Sequence, residues 1–296
     1  MIELKKALTY EEQVNHLINA HSLEIKDKKI AIDILKRVNY YRLSGYGIGL
    51  KTKNNDQFSD GITLEHIYKL YQFDSLFKIK LLHVIEQIEI QLRTQISYHL
   101  ALKFGPECYL NPENFVPKTF KSGDSILDSI ISNFQKECDR QKNKPFVRHH
   151  INKYNSRFPV WVAVELFSFG NLTSLYDIMK PEDQMAISSL YSVDPKHLKS
   201  WMLALVEIRN ICAHYGRLYN MPLKQRPHLF QEHKKYGNWS QIKIFPALLS
   251  IKRILESDSL WTEFESNLVS LIEEYQDVII LPFMGFPLEW QKVLTG

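Results

Sequence analysis

The stretch from Asp194 to Asn220, DPKHLKSWMLALVEIRNICAHYGRLYN, constrains the fold more than any other part of the chain. Asp194 followed by Pro195 marks a helix start, because an Asp carboxylate accepts orphan amide protons and Pro fits the first turn. Leu198, Trp201, Met202, Leu205, Ile208, Ile211 and Cys212 then recur at three- and four-residue spacing and form one apolar stripe. Gly216 supplies a stop. The pattern predicts a buried amphipathic helix of about six turns. Its last turn carries Arg209, Asn210 and His214, three polar groups where a core helix would stay apolar.

At 100° per residue Arg209 and His214 point about 140° apart and lie about 7.5 Å apart along the axis, so they do not converge on one small ligand. Asn210 and His214, at i and i+4, share a face. If the guanidinium and the imidazole act on one phosphate, a second copy of the helix brings them together, which makes a symmetric homodimer the natural expectation. Their chemistry suits metal-free cleavage of RNA. An imidazole can take the proton of a ribose 2′-hydroxyl or give one to the departing 5′-oxygen. A permanently charged guanidinium can stabilise the charge gathering on phosphorus. The competing reading is that both residues merely cap the carbonyls of the helix end.

Arg209-Asn210-Ile211-Cys212-Ala213-His214 resembles the R-x(4)-H motif of HEPN-domain ribonucleases, and Arg217-Leu218-Tyr219-Asn220 resembles the extension found in Abi-like (AbiD/AbiF) abortive-infection proteins. Further blocks are similar to that family: Val38-Asn39-Tyr40-Tyr41-Arg42-Leu43-Ser44-Gly45-Tyr46, Tyr68-Lys69-Leu70-Tyr71-Gln72-Phe73-Asp74, and Phe158-Pro159-Val160-Trp161 through Ser168-Phe169-Gly170. The resemblance implies a mainly α HEPN-like helical bundle acting in phage defence. It assigns phosphate stabilisation to Arg209, proton transfer to His214 and positioning to Asn210. It also implies that a glutamate on a neighbouring helix orients Arg209 or His214, with Glu89 and Arg93, which share a helix face, as the candidates. Arg217 and Asn220 would position RNA or a partner subunit. Tyr215 follows His214 directly, so the R-x(4)-H-x-Y arrangement of some HEPN toxins is not matched.

Outside that helix, local signals set the remaining elements. Thr9 with Glu12 forms a capping box opening a helix over Tyr10 to Ala20, and Asp27 starts another that runs into Tyr40-Tyr41-Arg42 before breaking at Ser44-Gly45. The glycines at 45, 47 and 49 miss G-x-G-x-x-G because position 50 is Leu50. Thr63 opens a long helix to Phe104, with Ile67, Leu70, Tyr71, Leu76, Ile79, Leu82, Ile85, Ile88 and Leu92 expected inside and Gly105-Pro106 ending it. Trp161, Val162, Val164, Leu166 and Phe167 are expected in a buried helix ending at Gly170, and tail helices near Phe245 to Leu255 and Leu260 to Glu274.

From Arg140 to Arg157 there is no Asp or Glu, while Lys142, Lys144, Arg148, His149, His150, Lys153 and Arg157 interleave with Phe146, Tyr154 and Phe158. Basic groups bind phosphates and aromatic faces accept unpaired bases, so this is the expected RNA-contacting surface, against a plain solvated basic face. Net charge of +4 adds only a mild lean towards polyanions. Cys108, Cys138 and Cys212 are odd in number and lack C-x-x-C spacing, which argues against a disulfide framework or a cysteine metal site. MIELKKALTYEE lacks the apolar core of a signal peptide and no long uncharged apolar run follows, so a cytoplasmic protein without membrane contact is expected. Neither G-x-x-x-x-G-K-[ST], H-E-x-x-H nor G-x-S-x-G occurs, and no metal or cofactor is expected.

The expected organisation is an N-terminal helical extension over 1–60, a HEPN-like core over 61–225 and a C-terminal helical extension over 226–296 packed on that core. Three functions compete: a metal-independent endoribonuclease, a non-catalytic or RNA-restrained protein that binds a structured noncoding RNA, and an all-α interaction module whose polar helix end is structural.

Overall fold

The computed structural model describes residues 4, 6–52, 56–237, 242–255 and 259–295. Among them all named elements are helical, with only isolated bridges such as Lys51 to Phe58 in extended pairing. Thr9 and Glu12 form the capping box of α1 (Tyr10–His21), and Asp27 caps α2 (Lys28–Arg37) by accepting from the amides of Lys29 and Ile30. The expected run of α2 into Tyr40 does not occur. Val38 is extended, and the Asn39 side chain accepts from the Tyr41 amide to begin a separate helix, α3 (Tyr40–Ser44), which tightens into a 3-10 turn at Gly45–Gly47. An Asn competing for the backbone in this way breaks a helix that apolar spacing alone would continue.

Thr63 caps α4 (Leu64–Phe104), a helix of 41 residues and about 60 Å. Elements from both ends of the chain pack on it, so it is buried on several sides rather than along one stripe. That explains a misassigned face. Leu76 and Ile79, expected inside, are 39 % and 62 % exposed, while Phe73, Phe77, Leu81 and Val84 occupy the core. Gly105, at φ 89°, ends the helix in a conformation that favours glycine.

The middle of the chain supplies α5 (Ile126–Arg140), α6 (Pro145–Tyr154), α7 (Val160–Ala163), α8 (Phe169–Ile178) and α9 (Pro181–Ser188). Where one buried helix is expected up to Gly170, the chain instead forms α7, a 3-10 turn at Val164–Leu166 and a fresh start at α8. Two causes act together. The Ser168 hydroxyl accepts from the Asn171 amide as an N-cap, and Arg93 from α4 takes the carbonyls of Val164 and Phe167. Gly170 therefore lies inside α8, and Trp161 turns outward.

Asp194 caps α10 (Pro195–Ala213), accepting from the amides of Lys196 and His197. Leu198, Trp201, Met202, Leu205, Ile208 and Cys212 are buried as the spacing requires, with Ile211 half-buried. The helix is about one turn shorter than expected. Tyr215, not Gly216, takes the left-handed conformation at φ 57°, and the Gly216 amide donates to Ile211 O at 2.8 Å. A side chain at 216 would be crowded, since a Cβ there would stand 3.2 Å from that oxygen. The tail forms α11 (Gln231–Lys234), α12 (Phe245–Ile254), α13 (Ser259–Glu274) and α14 (Trp290–Thr295), with α12 and α13 packed against α4. Phe77, fully buried and stacked on Phe73 at 5.9 Å, sits midway in this arrangement. Phe77→Ala is expected to cost about 3–5 kcal/mol in urea unfolding, the usual range for deleting a buried ring.

Candidate active site at the end of the core helix

The last turn of α10 reaches solvent. Asn210 and His214 are exposed and Arg209 is half-buried, so the polar triad is not sealed in the bundle. Arg209 is fixed from two sides: its Nε lies 3.6 Å from Glu89 Oε2, and its Nη1 donates to Asn210 Oδ1 at 3.3 Å. Glu89 is buried and pairs through its other oxygen with Arg93, whose guanidinium continues to the Val164 and Phe167 carbonyls. The chain Phe167–Arg93–Glu89–Arg209–Asn210 thus links α4 and α10 to the backbone that follows α7. Glu89 reaches Arg209 and not His214. Among the described residues the His214 ring has no hydrogen-bond or ion-pair partner, which leaves both nitrogens open to an incoming group.

What holds the backbone after His214 is a clamp built from distant residues. Arg42 of α3 donates to the Tyr215 carbonyl, and Lys78 of α4 donates to the Gly216 carbonyl at 2.7 Å. Both carbonyls lie in the turn just beyond the end of α10, where a cation also faces the negative pole of the helix. Asp74, with no exposed surface, accepts from the amides of Leu218 at 3.1 Å and Tyr219 at 2.7 Å, from the Tyr46 hydroxyl at 2.6 Å, and pairs with Lys78 at 2.9 Å. Burial, reinforced by the charge of Asp74, holds the Tyr46 hydroxyl far above the ordinary tyrosine range, so it stays a donor. Three of the sequence blocks singled out above meet here. Arg42, Asp74 and Lys78 were not among the candidate site residues. The signal available was Asp74 and Lys78 at i and i+4, a charged pair set between Phe73, Phe77 and Leu81.

Arg217 and Asn220 face inward. Arg217 lies over the Tyr46 ring and donates to Met221 Sδ, and burial lowers its affinity for a proton. Asn220, left-handed at φ 52°, donates to Ile48 O at 2.9 Å and accepts from Lys243. Their contacts are with the chain itself and stiffen the turn below the site.

The basic stretch forms a separate surface. Arg148, His149 and Lys153 are exposed on α6, while His150 is half-buried, stacked on Phe158 and hydrogen-bonded to Phe146 O. Arg157 forms a forked pair with Glu107, which holds that carboxyl below its usual range. With Tyr154 and the half-exposed Trp161, His149, His150, Lys153 and Arg157 line an open concavity of ≈ 1350 Å³. About 22 Å of α4 lies between Glu89 and Phe104, so this surface and the α10 end are distinct regions. The three thiols are raised by burial, Cys108 and Cys138 to about 11 and Cys212 to about 12, and stay protonated at neutral pH.

The fold and the site define a mainly α protein in which a long central helix presents a carboxylate to an Arg–Asn–x(3)–His helix end clamped from below. The family profile described as Abi-like protein matches residues 33–220, and the chain belongs to that family. No curated protein and no solved structure gives a significant match. No helix among the described residues is long and apolar enough to cross a membrane.

Removing the carboxylate of Asp74 strands Lys78 and two amides in the core. Asp74→Ala is expected to lower unfolding free energy by about 3–5 kcal/mol, as breaking buried charge pairs does, and to speed hydrogen exchange at Gly216 to Tyr219.

Proposed function

We propose that the chain is a metal-independent HEPN-type endoribonuclease acting in abortive infection, with Arg209 and His214 performing the cleavage. The observation that carries this reading is the exposed Arg209–Asn210–His214 end of α10, with Arg209 oriented by Glu89 and the following turn clamped. The imidazole takes the proton of a ribose 2′-hydroxyl, the 2′-oxygen attacks the adjacent phosphorus, and the bond to the 5′-oxygen breaks as that oxygen receives a proton. Arg209 faces the phosphate oxygens, where charge builds. Asn210 shares the face of His214 and positions the scissile phosphate. Membership of the Abi-like family supplies the setting of phage defence.

Arg209 and His214 diverge on one helix, so two chains assemble a complete site. Leu76, Ile79 and Ile90 support this: they fall within about 60° on α4 and are exposed, and Ile90 adjoins Glu89. Exposed apolar side chains on that face, with Ile90 beside a site that lacks half its groups, favour a second copy. Ile90→Asp is expected to shift the native mass from dimer to monomer and to abolish cleavage together; a monomeric variant cleaving at the wild-type rate would remove the composite site.

A second reading, a protein that holds a structured RNA without cutting it, is favoured by the exposed faces of Tyr154 and Trp161 beside Lys153 and His149. One comparison separates the two. His214→Ala is expected to reduce RNA cleavage in EDTA by about 10²–10⁴-fold, the range for a proton-transfer group, with an unchanged melting curve. Undiminished cleavage by the folded variant would take His214 out of the chemistry, and intact copurified RNA with no cleavage by wild type would favour binding.

A further inference from the structure

Lys196, Lys199, Leu203, Asn210 and His214 fall within about 60° of one another around α10, on one line from its first turn to its C-cap. Beside that line runs the segment 222–228, antiparallel to the helix and fastened at two heights. Glu207 accepts from the amides of Lys224 and Gln225 at 2.9 and 2.8 Å, and further along His228 N donates to Ser200 Oγ while its carbonyl accepts from Trp201 Nε1. Helix and segment are therefore two fixed walls of a trough. Between them lies an open concavity of ≈ 620 Å³ lined by Lys196, Lys199, Ser200, Leu203, Gln225, Arg226 and His228, with no carboxylate among the described lining residues. A neighbouring hollow shares Arg226 and His228 and adds His197 and Lys234.

Three acidic groups close to the trough, among the described residues, are already engaged. Asp177 is shared by Lys199 at 2.6 Å and Lys118 at 2.9 Å, one negative charge against two positive. Asp194 is bound to the His197 ring and the first amides of α10. Glu207 has its oxygens turned into the amides of the crossing segment. The walls are preformed and basic, and the face of α10 that lines the trough continues past Leu203 to Asn210 and His214.

We propose that this trough is the track of the single-stranded RNA flanking the scissile phosphate, with Lys196, Lys199, Arg226 and His228 holding successive backbone phosphates. The proposal rests on the nuclease reading above and adds where the strand lies and in which direction it leaves the site. Lys196 to His214 spans about 27 Å along the helix, room for several nucleotides. Phosphate contacts carry no base preference, so the track grips RNA of any sequence and its grip is salt-dependent.

The test uses the full-length chain carrying His214→Ala, so that the probe survives, and a fluorescein-labelled oligoribonucleotide of mixed sequence followed by anisotropy across a salt series. Adding Lys196→Ala and Arg226→Ala, both at exposed positions, is expected to weaken binding about tenfold. The same pair is expected to reduce the slope of log affinity against log salt by about 1.4, some 0.7 for each single-strand phosphate that the protein no longer neutralises. A control pair of exposed lysines elsewhere, Lys36→Ala with Lys292→Ala, is expected to leave both quantities unchanged. An equal effect of the two pairs, or none from the first, overturns the track and leaves the nuclease reading standing. Failure of the His214→Ala chain to bind the oligonucleotide at low salt overturns both.

Discussion

A single carboxylate with no access to water organises the working end of this molecule. Asp74 gathers a phenol, an ammonium and two backbone amides from three regions of the chain, and each partner would be costly to leave alone in the core. A buried ion is tolerated only when its lone pairs are filled, and here they are filled largely by groups that lie far apart in sequence. Because two of those groups are the amides of Leu218 and Tyr219, the carboxylate sets where the chain goes after α10. The catalytic candidates at 209–214 inherit their position from it.

Above this hub the same helix, α4, delivers a second carboxylate to the opposite side of the site. Glu89 stands about four turns further along and joins Arg93 to Arg209. One continuous helix therefore fixes both the turn beneath the site and the guanidinium within it, without relying on a mobile loop. The rigidity is gained at the outer surface, where Leu76, Ile79 and Ile90 stay uncovered in the isolated chain.

Much of the helical layout was legible because it is local. Thr9, Asp27, Thr63 and Asp194 each cap the helix that their side chains announce, and Gly105 ends α4 where expected. Failures occurred where distant groups intervened. Arg93 takes the Val164 and Phe167 carbonyls and so interrupts a helix that apolar content alone would continue to Gly170. The inward face of α4 could not be read from spacing, since partners surround it and no single stripe exists. At the end of α10, the expected contact between a carboxylate on the neighbouring helix and Arg209 is present through Glu89. The inward-facing roles of Arg217 and Asn220, and the clamp by Arg42 and Lys78, depend on which segments meet and leave no mark in local sequence. The trough beside α10 was equally hidden, because Lys224, Arg226 and His228 in an irregular stretch become a wall only once Glu207 and Ser200 fasten them.

The link from Arg42 to the Tyr215 carbonyl joins residues 173 positions apart. A chain made from its N-terminus first has the residues of α3 and α4 in hand before Tyr215 is added. The helix end that bears Arg209 and His214 therefore meets supports made before it, and a chain lacking α3 would carry those residues without the Arg42 contact. The order of synthesis thus lets the end of α10 dock onto a scaffold laid down ahead of it.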